Sequence, residues 1–130
     1  VEKIFNYGIY LGRAFQIKDD IIGLFSEEAQ IGKSNLTDLQ EAKKTILIWH
    51  AFCHSSRENQ KVIKTILSKG KVTRCDLLRM RSIVVNAGSL DFALEEISKL
   101  RKKADNLLSS SLMRKNYKDT LIHYSNRILR

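Results

Sequence analysis

Not one proline interrupts these 130 residues, and that absence limits the possible folds more than any other feature of the chain. Proline is the strongest local stop for a helix, and all-β domains lean on Gly/Pro-rich turns. Glycine, the other punctuating residue, occurs six times, and Gly32, Gly70 and Gly88 fall where the hydrophobic period breaks. Between the breaks, apolar residues recur three and four apart. Val62, Ile63, Ile66 and Leu67 form one such set, and in a second Leu77 and Leu78 stand about two helical turns from Ile83 and Val84. Leu90, Ala93, Leu94, Ile97, Leu100, Ala104, Leu107 and Leu108 form a longer third. Val84-Val85 alone is compatible with a strand, but the period on both sides of it is helical.

Cap signals stand at the heads of these stretches: Thr37 with Gln40, Ser55 with Glu58, Thr73 with Asp76, Ser89, and Asn116 with Asp119. The pattern predicts an all-α helical bundle in a single domain over residues 1–130, with no repeat and no low-complexity segment. Helices are expected near 2–26, 38–54, 56–69, 74–87, 89–112 and 117–129, with a loop over Glu27 to Leu36.

The first of these helices is unusual. Wound at 3.6 residues per turn, Gly8, Gly12, Gln16, Asp19 and Gly23 fall on one line, with Phe15 and Ser26 beside it. Tyr10, Ala14, Ile17, Ile21, Leu24 and Phe25 take the opposite side, and Ile4, Ile9, Leu11 and Ile22 fill the flanks. A helix apolar nearly all round reads as buried. It nevertheless holds two adjacent carboxylates, Asp19 and Asp20, and a buried unpaired carboxylate is strongly disfavoured. Either a lysine pairs with them, or they hold a divalent metal in a water-filled cavity, for which the glycines on the same line leave room.

Composition excludes several classes. Hydrophobic content of 43% and charged content of 28% suit an ordinary globular protein, and no apolar run approaches the eighteen or so residues of a membrane span. Val1-Glu-Lys-Ile does not begin a signal peptide, so the chain reads as cytoplasmic. Cys53 and Cys75 make no disulfide framework, and His50, Cys53 and His54 lack the fourth ligand that structural zinc requires. The net charge of +9 suits an anionic partner, a nucleic acid or a phosphate-bearing small molecule. The basic residues are spread over several helices and interleaved with acids, however, and no nucleic-acid module accompanies them.

The stretch Gly12-Arg-Ala-Phe15-Gln16-Ile-Lys-Asp19-Asp20-Ile-Ile-Gly23, followed by Gly32-Lys33 and then Asp38-Leu-Gln-Glu41-Ala-Lys43-Lys-Thr45, resembles the trans-isoprenyl diphosphate synthases, the farnesyl and geranylgeranyl diphosphate synthase family. The resemblance is to the surroundings of that family's second aspartate-rich motif. It is densest over 8–45 and thins to a helical pattern up to Tyr124-Ser-Asn-Arg127. It implies the C-terminal portion of an isoprenoid-synthase-type helical fold. The implied activity is Mg²⁺-dependent condensation of isopentenyl diphosphate with an allylic diphosphate. In such enzymes the departing pyrophosphate needs metal ions and lysines at the mouth of a cavity.

By position, Asp19 and Asp20 resemble the metal-binding pair of the motif, Asp19 as a Mg²⁺ ligand and Asp20 acting through water or by orienting a lysine. Phe15 and Gln16 match the pair lining the allylic site, and Lys33 and Lys43 match the lysines that hold its diphosphate. Asp38 matches a further acid of the pattern. Gly23 stands where the fullest form of the motif has its last aspartate, a variant that some family members carry. Nothing in the chain matches the first aspartate-rich motif, which would lie before Val1 together with the residues that set product length. The resemblance therefore implies a prenyltransferase part that is inactive alone and self-associates through faces left uncovered. The alternative is a non-catalytic, basic helical binding module. That alternative has no need of a carboxylate pair at this spacing.

Overall fold

The structure is a computed structural model and describes residues 2–26, 45–110 and 115–129. Among these residues there are six α-helices and no strand: α1 (Glu2–Phe25), α2 (Ile46–Cys53), α3 (Arg57–Ser68), α4 (Arg74–Asn86), α5 (Ser89–Ser109) and α6 (Lys115–Ile128). The all-α expectation holds. The loop over Glu27 to Leu36, the Thr37 cap, Lys33, Asp38 and Lys43 lie outside the described residues.

The chain divides into two compact units, Val1–Lys18 with Leu94–Arg130, and Asp19–Ala93. In the first, Tyr7 of α1 packs on Ala104 and Leu108 of α5, with Tyr10, Leu11, Leu121 and Ile122 around them. The Tyr7 hydroxyl donates to the Leu121 carbonyl at 3.1 Å, which satisfies the polar end of a buried aromatic. Burial pushes the Tyr7 phenol up, against a hydrogen bond with Ser125 that lowers it and with a smaller upward push from the Asp105 charge. Two lysines of α1 serve the ends of other helices. Lys3 Nζ donates to Ser110 O, just past α5, and Lys18 Nζ donates to Ile128 O, the last residue of α6, each at 2.7 Å. A cation on terminal carbonyls answers both their unmet hydrogen bonds and the negative end of the helix dipole.

In the second unit α2, α3 and α4 pack against one another. Leu47, Ile48 and Ala51 of α2, Ile63 and Ile66 of α3, and Leu77, Met80, Ile83 and Val84 of α4 are buried. Thr73 and Asp76 form a full capping box at the head of α4, as their spacing predicts. Asp76 Oδ2 accepts the Thr73 N–H at 3.0 Å, and Thr73 Oγ1 accepts the Asp76 N–H at 3.2 Å. Gly88 closes α4 with a φ of 75°, a conformation that costs an L-residue roughly 1–2 kcal/mol and glycine almost nothing.

Five expectations need correction. α1 is not buried all round. Tyr7, Ala14, Ile17 and Leu24 form its buried side, while Gly8, Gly12, Phe15, Gln16 and Asp19 are exposed, as are Ile4 and Phe5. Apolar content shows what a face can bury, whereas burial itself needs an element against each face. The helix expected over 38–54 does not run through Thr45, which is extended (φ −72°, ψ 155°) and caps α2 with its side chain on the Ile48 N–H. A threonine hydroxyl competes with backbone bonding, so it starts a helix more readily than it continues one.

Ser56, not Ser55, caps α3 by accepting from the Asn59 N–H, and Ser55 instead donates to Ala51 O at the end of α2. Ser89 is the first residue within α5 rather than its cap; the Phe92 N–H donates to Gly88 O, one residue earlier. α6 likewise begins at Lys115, ahead of the expected Asn116 cap.

Candidate functional site

The carboxylate pair sits in the last two turns of α1. Asp19 is exposed and Asp20 half-buried. Burial pushes the Asp20 carboxyl up, and the Asp19 charge beside it pushes the same way. Phe15, half-exposed at 50%, and the exposed Gln16 precede the pair by one turn on the same continuous helix. Residues three and four apart on a helix are surface neighbours, which relates Phe15 to Asp19 and Gln16 to both acids. One turn further back stands Gly12, where an added Cβ would meet nothing within 4 Å. This stretch of α1 thus offers, in order, an open backbone, an aromatic, an amide and two acids.

Among the described residues no basic side chain bridges Asp19 or Asp20, and the adjacent Lys18 is engaged with Ile128 O. Nor do three or more His, Cys, Asp or Glu side chains converge among the described residues. What α1 offers is two oxygen-donor groups, one of them accessible and neither bridged by a basic side chain among the described residues. That donor set fits a hard Mg²⁺ ion, which takes one or two carboxylates and keeps several of its waters. It fits zinc poorly, since zinc favours nitrogen and sulfur ligands.

The end of α1 is tied down from α4. Arg81 Nε–H donates to Leu24 O at 2.5 Å, four residues past Asp20, and puts a cation at the carbonyl end of the helix. Sequence reasoning missed this contact, because 57 residues separate the partners and no local pattern links them. Among the described residues His50, Cys53 and His54 do not converge as three possible metal ligands. The two imidazoles stack with centroids 4.0 Å apart and planes 14° apart, and each Nδ1 is taken, His50's by Ser89 Oγ and His54's by the His50 carbonyl.

The polyprenyl synthetase family matches residues 1–84, and the chain belongs to that family. It is 33% identical over 112 residues to the geranylgeranyl diphosphate synthase of Saccharolobus solfataricus, covering 86% of this chain and 32% of the relative. It is 38% identical over 65 residues to the octaprenyl diphosphate synthase of Escherichia coli, covering 50% of this chain and 20% of the relative. The solved geranylgeranyl pyrophosphate synthetase of Pyrococcus horikoshii superposes with a TM-score of 0.86 at 26% identity, over 99% of this chain and 38% of that one. The chain spans about a third of the length of the first of these relatives.

Proposed function

We propose that this chain is the part of a polyprenyl diphosphate synthase that supplies the second carboxylate motif for condensing isopentenyl diphosphate with an allylic diphosphate. One observation carries the reading: Asp19 and Asp20 stand without a basic partner among the described residues, one turn after Phe15 and Gln16, in a family member. The residues to hold Mg²⁺ are Asp19 and Asp20, and the bound ion supplies Lewis-acid stabilisation of the charge that grows on the departing pyrophosphate. Asp19 offers its oxygens directly. Asp20, half-buried and raised, acts through water or by orienting a lysine. Phe15 and Gln16 line the allylic site, the aromatic against hydrocarbon and the amide as a hydrogen-bonding group. Lys33 and Lys43 hold the allylic diphosphate, and their fixed charge needs no reorganisation as the bond breaks. The exposure of Phe15, Gln16 and Asp19 supports a cavity whose other walls come from residues outside these 130, so the chain alone does not turn over. We place the reaction in the cytoplasm, where Cys53 and Cys75, both free, are at home.

The test is a chimera in which these residues replace the corresponding third of the S. solfataricus synthase. The chain alone should give no prenyl product from isopentenyl and allylic diphosphates, and the chimera should give product in the presence of Mg²⁺. A folded chimera no more active than the host lacking that third would overturn the assignment.

A further inference from the structure

We propose that His50 is an acid-sensitive latch between α2 and the first turn of α5: as the neutral imidazole it holds the two helices together, and on taking up a proton it loosens them. The ring is 8% exposed and stacks on both His54, at 4.0 Å, and Phe92 of α5, at 4.1 Å and 18°. Its Nδ1 lies 2.7 Å from Ser89 Oγ, and Ser89 is fully buried. The latch thus joins one hydrogen bond and one stacking contact across to α5, both made by a group that changes charge near neutral pH.

Among the described residues no carboxylate bonds to the ring, whose side-chain hydrogen bond is to a neutral hydroxyl. From α3, Lys64 lies over the Phe52 ring. From α4, Asp76 is taken by Lys69 and Thr73, and Arg81 by Leu24 O. From the first turn of α5 come Ser89 and Phe92, while Asp91 is exposed. Among the described residues the remaining titratable neighbour is His54, whose charge opposes a second one beside it. Burial, and after it His54, accordingly pull the His50 imidazole below its usual range. The unfolded chain therefore takes up this proton first. Stability is fully present above the ordinary histidine value near 6.5 and is lost as pH falls from there toward the lowered value of the folded state. One proton limits the effect to about tenfold in the unfolding constant per pH unit.

Trp49, the single tryptophan, is the neighbour of His50 in α2 and reports on this helix. Urea unfolding of the 130-residue chain, followed through Trp49, should show the unfolding constant rising several-fold between pH 6.5 and 5.5. His50→Phe keeps a ring for the stack and removes the proton, so its unfolding constant should stay flat over the same interval. His123→Gln, at an exposed position of α6, should leave the wild-type rise in place. No rise in the wild type, or an equal rise in His50→Phe, overturns the proposal. Should His50→Phe fail to fold at pH 7.5, the NMR titration of the wild-type His50 ring decides. A midpoint below 6.5 supports the latch, and one at or above 6.5 overturns it.

Discussion

Asp76 shows how much one carboxylate can organise. Lys69 Nζ reaches both of its oxygens at 2.9 Å, and the Thr73 N–H takes one of them again. The Lys69 bond, ahead of the Thr73 bonds, holds the Asp76 carboxyl down at about 2. Its contribution to stability is present above the ordinary aspartate value near 3.8 and is lost as pH falls from there through about 2. Lys69→Met should remove most of this acid loss, so thermal midpoints recorded from pH 5 to 2 should converge for the two proteins at the acid end. Parallel curves would contradict the pairing. Asp20 works in the opposite sense. Its raised carboxyl binds its proton more readily folded than unfolded, so its ionisation subtracts from stability as pH rises out of the carboxylate range. The Thr73–Asp76 box was legible in the sequence because a capping box is local and fixed in spacing. The choice between Ser55 and Ser56 was not, because adjacent serines offer the same chemistry and the end of α2 decides which one is drawn back to Ala51 O.

At the scale of elements, helix positions could be read from glycines and apolar spacing, while burial could not. The periodicity of α1 contains its buried side, Tyr7, Ala14, Ile17 and Leu24, but also enough apolar residues elsewhere to suggest burial all round. Periodicity is a property of one segment, and burial is a property of two. The same limit hid Lys3 and Lys18, which read as solvated lysines until the ends of α5 and α6 are brought to them. Ile4 and Phe5 are 48% and 68% exposed, and covering a large apolar side chain stabilises by about 1.5–3 kcal/mol. The isolated 130-residue chain should therefore self-associate at tens of micromolar, and Ile4→Asp with Phe5→Asp should shift it to monomer. Light scattering that finds the wild-type chain strictly monomeric would contradict this account of the face.

At the scale of the molecule, family and fold were legible because one motif binds several levels together: glycine row, aromatic-amide pair, paired acids, the Gly32-Lys33 pair and the run from Asp38 to Thr45, all in order. The net charge of +9 agrees with an anionic ligand without singling one out. What no spacing could reveal is that both acids lack a basic partner among the described residues, which is a fact about every other element. The central claim, that Asp19 serves chemistry rather than packing, rests on that fact. Its most direct test is Asp19→Asn in the active chimera, with turnover and thermal midpoint measured on the same preparations. The account predicts a loss of about two orders of magnitude in turnover, about 3 kcal/mol of barrier, with the midpoint nearly unchanged because the side chain is exposed and has no basic partner among the described residues. Near-normal turnover with a lowered midpoint would show Asp19 to be a structural residue and would contradict the account.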